Sequence, residues 1–405
     1  MLVPVAPRPR LLVLASTYPR WSDDVLPPFV HELARRLTDR YKVHVLAPHA
    51  RGCKTHESMD GVEVHRFRYG PEGLETLAYS SGMLPGLRRR PWRLLALPVF
   101  LFAEWFATVR LLRQQEFAAI HAHWLLPHGL IALLARACCG YRPALLCTSH
   151  GADLYGLQGV LARACKRRVV HGSEHVTVVS RAMLETLQHE VGDSINCSVL
   201  PMGVDTQTRF VPPASPISRG GLLFVGRLAD KKGVDVLLEA LARLRDMPDL
   251  SLHVIGTGPE EARLRQQVQR LDLDKVVDFV GPVPNKDLPL WYQRSALLAF
   301  PSVVTPYGDQ EGLGLVPVEA LACGCAVVAS DLPAVRDVIR DKQTGLLVPP
   351  GDPAQLAEAL HVLLWDKPLS ERLAAVGRAD VIERFDWDRI AGRYAALLDR
   401  MTGRA

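Results

Sequence analysis

Two α/β domains in tandem, each a doubly wound parallel sheet, are the architecture this sequence predicts, and three observations predict it. Short apolar runs bounded by turn residues alternate with helical patterns through the first half. That alternation stops in a stretch rich in Pro, Ser and Thr over 204–221, then restarts in the same style. The chain of 405 residues, 48% of them hydrophobic, is long enough to give each half its own core. Near-continuous apolar strands alternating with helices belong to parallel sheets covered on both faces.

In the first half, strands are expected over Leu11 to Ala15, Val43 to Ala47, Ala119 to His123, Ala144 to Thr148 and Val176 to Val179. Helical patterns occupy Phe29 to Leu37 and Gly129 to Ala137 between them. After the break, strands are expected at Leu222 to Val225, Leu252 to Ile255, Val277 to Val280, Leu297 to Phe300 and Ala326 to Ala329. Helices are expected at Val234 to Leu244, Glu260 to Leu271 and Val316 to Cys323, and a long helical pattern spans Ala374 to Leu398. The expected organisation is a first domain over 1–205, a linker over 206–221, a second domain over 222–382, and a C-terminal helix over 383–405 crossing back to the first. Two such sheets are expected to face a cleft, with ligands beyond the carboxyl ends of the strands.

Composition narrows the partners. A net charge of +5, from 48 basic and 43 acidic residues, is too mild to argue for nucleic acid. It suits an anionic small molecule or an acidic membrane surface. The eight cysteines show no metal-ligand spacing, which favours free thiols in the reducing cytoplasm over disulfides or zinc. The apolar run Leu11 to Ala15 is too short for a signal-peptide core and reads as a buried first strand. His121 and His123 share one strand face by period two, yet no third metal ligand is apparent. The segment Leu94 to Leu112 is apolar and aromatic, follows an arginine run, and contains Pro98 and Glu104. An internal Glu argues against a membrane span. A core helix with a solvated arginine cap, or an amphipathic segment at the inner-leaflet surface of a membrane, fits better.

The chemistry concentrates in three loops. Glu311, beside Gly312, Leu313 and Gly314, leads into the helix expected over Val316 to Cys323, which carries Glu319 one to two turns in. A glycine loop at a helix N-terminus favours anions, because its free amides and the helix dipole act together. A carboxylate there would repel a bare phosphate, so it more naturally accepts hydroxyls of a sugar. One loop for phosphate and two carboxylates for hydroxyls describe a nucleotide-sugar site. Gly226 to Gly233 follows a strand and opens a helix, so Arg227 and Lys232 leave one compact loop where they can neutralise a diphosphate. Gly256 and Gly258 follow the next strand; their spacing is an incomplete dinucleotide fingerprint, which disfavours a nicotinamide cofactor. In the first domain, Gly151 lets backbone approach a ligand, and His150 and Asp153 supply polar groups at the cleft edge. No Asp-x-Asp ends a strand in a phosphate-binding context, so Arg227, Lys232 and helix amides would act where a divalent ion acts elsewhere.

Taken together and in order, these motifs resemble the retaining family 4 glycosyltransferases of the two-domain GT-B fold. The resemblance rests on Thr17-Tyr18-Pro19, Ile120 to Trp124, Ser149 to Asp153, Pro201 to Asp205, Gly226-Arg227 to Lys232-Gly233, Pro301-Ser302, Glu311 with Glu319, and Gly324 to Val328. It implies that Arg227 and Lys232 bind the diphosphate of a UDP- or GDP-sugar, with Gly226, Gly256, Gly258, Gly314 and Leu315 on the donor side. Glu319 would hold the ribose hydroxyls, and Glu311 with Gly312 and Leu313 would touch the transferred sugar. His150 would contact that sugar, and Tyr18 and Asp153 would lie on the acceptor or sugar side. The resemblance also implies no metal or other cofactor, retention by front-face attack, and a cleft that closes to exclude water. A glycan or lipid-linked acceptor in bacterial surface polysaccharide or glycolipid synthesis is the expected partner. One departure stands out: where relatives carry glycines after the first strand, this chain has Pro27 and Pro28, which have no amide hydrogen to offer a phosphate. A phosphorylase, a nucleotide-sugar epimerase, or a catalytically silent membrane-bound partner are the rival readings.

Overall fold

Strands with apolar side chains at every position need cover on both faces, and the chain provides it twice. The computed structural model describes residues 8–215 and 217–404, apart from 22, 23, 25, 27 and 80–94. Pro27 and the arginine run before Leu94 therefore lie outside the described residues. The chain divides into two units: Met1–Val179 with Met183–Leu200 and Ala391–Ala405, and Ser180–Ala182 with Pro201–Ile390.

The first unit is built on eight strands: β1 (Arg10–Leu14), β2 (Lys42–Pro48), β3 (His56–Met59), β4 (Val62–Phe67), β5 (Ala119–His123), β6 (Ala144–Ser149), β7 (His175–Val178) and β8 (Cys197–Val199). Their order is β3-β4-β2-β1-β5-β6-β7-β8. Every neighbouring pair is parallel except β3 and β4, a hairpin. That hairpin was not expected, and its edge strand explains why: His56 to Met59 is polar and alternates between exposed and half-buried, with no apolar run to announce it. The hairpin turns at Asp60-Gly61, both with positive φ.

The second unit holds six parallel strands: β9 (Gly220–Val225), β10 (Leu252–Ile255), β11 (Val277–Gly281), β12 (Ser295–Phe300), β13 (Ala326–Ser330) and β14 (Leu346–Val348). Their order is β11-β10-β9-β12-β13-β14. Its core joins Leu222 and Phe224 of β9, Val254 of β10, Leu297 of β12 and Val328 of β13 to Leu237, Leu238 and Leu241. Those three leucines lie on the buried face of the helix Val234–Arg243, as their helical spacing requires.

Within the expected linker 206–221, Thr206 and Phe210 are buried, and Gln293 donates to the Val211 carbonyl at 2.8 Å. The long C-terminal pattern is two helices, Lys367–Phe385 and Trp387–Met401, broken at Asp386. Asp386 is extended, takes a hydrogen bond from the Thr206 hydroxyl, and caps the second helix by accepting from the Asp388 amide at 3.0 Å. From Ala391 on, that helix belongs to the first unit, where the Tyr394 hydroxyl donates to the Leu200 carbonyl at 2.9 Å. Pro98 lies in the first turn of Leu97–Gln114, where its missing amide costs nothing.

Candidate functional site

In the second sheet the chain proceeds from β9 to β10 and β11 on one side, and from β12 to β13 and β14 on the other. The loops after β9 and β12 therefore leave the carboxyl edge at the topological switch point, where such sheets hold their ligands. The two loops are stitched together. Gly233 sits in the left-handed region at φ 62°, and a Cβ there would lie 2.0 Å from the Pro301 carbonyl oxygen. Two residues before Gly233, the Lys231 carbonyl accepts from the Val303 amide at 2.8 Å. Only glycine allows that approach.

The stitching brings one expected cation, Lys232, to one expected acid, Glu311. Lys232 Nζ lies 2.8 Å from Glu311 Oε1, and Lys231 Nζ lies 3.1 Å from Asp309 Oδ1. Lys232 also sits 5.2 Å from the ring centre of Phe300, the last residue of β12. Glu311 is buried, which alone would raise its pKa, but the ammonium groups of Lys232 and Lys231 outweigh burial and hold the carboxyl below its ordinary range. It is therefore charged at neutral pH. Arg227 leaves the same loop and remains partly exposed.

The helix Leu315–Ala322 follows directly. Gly314 precedes it at φ 90°, where a Cβ would press on the Phe300 ring at 3.0 Å, and no side chain caps the helix. Its first amides thus face the loop of Glu311, Gly312 and Leu313 without a side-chain cap. Glu319 stands in the helix's second turn, partly exposed, with its Oε2 accepting from the Tyr292 hydroxyl at 2.7 Å. Packing around that carboxyl raises its pKa to about 7, against the lowering pull of Tyr292 and Arg209. The two glutamates therefore differ in kind: one is fixed in charge by lysines, the other poised between charge states.

Gly256 and Gly258 take another role than the one expected. A Cβ on Gly256 would lie 2.1 Å from the Gly226 carbonyl oxygen, and one on Gly258 would lie 2.1 Å from that of Leu228. The Gly226 amide donates to Ile255 and the Leu228 amide to Thr257, both at 3.0 Å. These glycines brace the cationic loop from behind, and their open side is filled by protein backbone.

In the first unit, His150 follows β6 and precedes Gly151, whose φ of 103° turns the chain into the short helix Ala152–Tyr155. His150 Nε2 meets His123 Nδ1 at 2.9 Å, with the rings stacked at 13°. Trp124 and Phe29 flank it at 4.9 and 5.0 Å. Burial pushes His150 down to about 3, helped by His121, and pushes His121 itself to about 3 and His123 well below its ordinary value. All three rings are neutral at physiological pH. With Nε2 turned to His123, Nδ1 is the nitrogen His150 has left to offer.

Tyr18 and Asp153 do not present themselves as expected. Tyr18 is fully buried, its hydroxyl 2.7 Å from His31 Nδ1. Asp153 is buried and accepts from the Leu125 amide at 2.7 Å, the Ser149 hydroxyl at 2.9 Å and the His150 amide at 3.3 Å. Both residues hold loops in place. Sequence reasoning named them because they neighbour motif residues, and it missed Tyr292, Phe300, Lys231 and His123 as partners. His123 and Lys231 had a visible signal, their places in Ile120 to Trp124 and in Gly226 to Gly233. Among the described residues no group of three or more His, Cys, Asp or Glu is arranged to hold a metal ion. A cavity of about 760 Å³ lies at the amino edge of the first sheet, lined by Arg10, Lys42 and Phe117, at the opposite edge from His150.

Known proteins share this chain's sequence pattern and its fold. Residues 28–208 match the model of glycosyltransferase family 4, and residues 212–380 match that of glycosyl transferases group 1. The GDP-mannose-dependent alpha-(1-6)-phosphatidylinositol monomannoside mannosyltransferase of Mycolicibacterium smegmatis is 30% identical over 301 residues, 71% of this chain and 78% of that protein. Sucrose-phosphate synthase from Thermosynechococcus elongatus superposes with a TM-score of 0.81 at 23% identity, over 98% of this chain and 100% of that one. Anabaena Alr3699/HepE in complex with UDP and glucose gives a TM-score of 0.75 at 20% identity, over 97% and 100%. Sequence and fold agree that the chain belongs to glycosyltransferase family 4 and has the GT-B fold.

Proposed function

We propose that this glycosyltransferase moves a hexose from UDP or GDP to a glycan or lipid-linked acceptor, with retention of configuration and without a metal ion. The observation that carries this reading is the Lys232–Glu311 ion pair across the two loops of the second sheet's switch point. A diphosphate entering there competes with Glu311 for the Lys232 ammonium. As the ammonium turns toward phosphate, the charged carboxylate becomes an acceptor for sugar hydroxyls beside it. Arg227 and the first amides of Leu315–Ala322 add to the cationic side, while Glu319 takes the ribose hydroxyls.

During transfer the bond from the anomeric carbon to the diphosphate breaks, and the negative charge that builds on the departing oxygen is what Arg227 and Lys232 stabilise most. The acceptor oxygen bonds to the same face of the carbon, and its proton passes to a phosphate oxygen. His150, neutral, offers Nδ1 to a carbohydrate hydroxyl rather than acting as a charged acid. The relatives that act on phosphatidylinositol mannoside, together with the mild basic excess, support a lipid-linked acceptor met at the cytoplasmic face of the membrane. A thermal-shift screen of nucleotide sugars tests the donor. A UDP- or GDP-sugar that raises the melting point supports the reading, because a ligand bound only by the folded state stabilises it. Stabilisation by inorganic phosphate alone, with none by any nucleotide sugar, would favour a phosphorylase.

A further inference from the structure

The helix Leu97–Gln114 and the turn before it show one stripe that the fold does not use. Leu95, Val99, Phe102 and Phe106, spaced by four, three and four residues, share one face and are 82%, 52%, 63% and 56% exposed. The same stripe continues into Arg110 and Arg113, both exposed. The opposite face holds Phe100, Glu104, Thr108 and Leu111, all buried, with the Glu104 carboxylate paired to His128 inside the unit. The acidic residue that seemed to spoil this helix therefore leaves its outer face free of negative charge.

A second helix repeats the pattern. Val160–Gly172 begins with Val160 and Leu161, 88% and 78% exposed, and continues with exposed Arg163, Arg167 and Arg168. Both helices pack, through Leu130–Arg136 between them, in one layer of the first sheet. Both run against the parallel strands, so both begin at the carboxyl edge that also carries His150. Apolar groups thus gather at the functional edge, and arginines follow farther along each helix.

We propose that this face of the first unit docks on an anionic lipid bilayer, its apolar residues entering the acyl boundary and its arginines reaching the lipid phosphates. Large apolar side chains with arginines on one helical face are the pattern of an interfacial helix. Charge complementarity selects the occupant: five exposed arginines favour anionic headgroups and disfavour a second copy of the same basic face. The inference deepens the lipid-linked acceptor reading, and its test involves no sugar transfer. Full-length protein is floated with vesicles of phosphatidylcholine alone or with 30 mol% phosphatidylglycerol. Wild type partitions onto the anionic vesicles, and R110E/R113E and F102E/F106E each reduce that partition by roughly tenfold or more. UDP- and GDP-induced thermal shifts stay at wild-type size in both variants, which shows that they fold. Flotation of F102E/F106E equal to wild type overturns the proposal. So does a wild-type dimer in light scattering that F102E/F106E makes monomeric while neither protein binds vesicles.

Discussion

The two loop clusters of this glycosyltransferase solve opposite electrostatic problems. In the second unit, Lys231 and Lys232 hold Asp309 and Glu311 in charged pairs, with backbone pressed on backbone at Gly233 and Gly256. In the first unit, buried His121 and His123 and half-buried His150 form a neutral row, with His123 stacked on His150. A charged, braced pocket suits a ligand whose diphosphate never varies. A neutral aromatic edge suits carbohydrate, which offers hydroxyls and apolar ring faces and no charge. The contrast teaches that, in the proposed reading, Coulomb forces would fix the donor side while shape and hydrogen bonds would fix the sugar side.

The sharpest way to break that contrast is to remove the charge. Lys232→Ala and Arg227→Ala should each lower turnover by roughly 2–4 kcal/mol of transition-state stabilisation, read as kcat at saturating donor. Turnover left intact in both would show that the cations only shape the loop. On the neutral side, His150→Ala should lower kcat about a hundredfold while donor KM changes little. An equal rise in donor KM would instead put His150 on the nucleotide.

The bracing can be tested without chemistry. Gly256→Ala should destabilise the second unit by about 1–3 kcal/mol in a denaturant titration, since its Cβ would collide with the Gly226 carbonyl. Wild-type stability would mean that the loops yield easily.

The glutamates separate by pH. Glu319 has a folded pKa raised from 4.5 to about 7, so the folded state keeps a proton that the unfolded chain releases. Its contribution to stability therefore falls as pH rises across that window. Ribose binding should run the other way, strengthening as pH passes upward through about 7 and the carboxylate forms. Glu319→Gln should flatten the profile, and a profile unchanged by that substitution would remove Glu319 from the ribose. Glu311 has the opposite sign: its depressed pKa stabilises the fold above the ordinary carboxylate range, and this is lost as pH falls through the lowered value. The smallest effect belongs to Tyr292→Phe, which should weaken nucleotide binding by about 1 kcal/mol by freeing Glu319 Oε2. Binding as tight as wild type would show that the hydroxyl only fills space.

Much of this was legible before any coordinates. The buried parallel strands announced themselves because each is an apolar run, and β5 and β10 fall on the expected residues. Arg227, Lys232, Glu311 and Glu319 were visible because loops between a strand and a helix carry recognisable glycines. What stayed hidden depends on long-range packing. Nothing local tells Tyr292 that it will meet Glu319, 27 residues away, or Thr206 that it will reach Asp386 across 180. Gly256 could be seen as a turn, but only the fold shows that Gly226 fills the space its side chain would need.

Calorimetric titration of UDP and GDP into wild type and Lys232→Ala tests most directly whether the loops after β9 and β12 hold a diphosphate. The account predicts that one of these nucleotides binds, that Lys232→Ala weakens it by roughly tenfold or more, and that the weak binding of the free nucleoside is the same in both proteins. Equal affinity of both proteins for the diphosphate would contradict it.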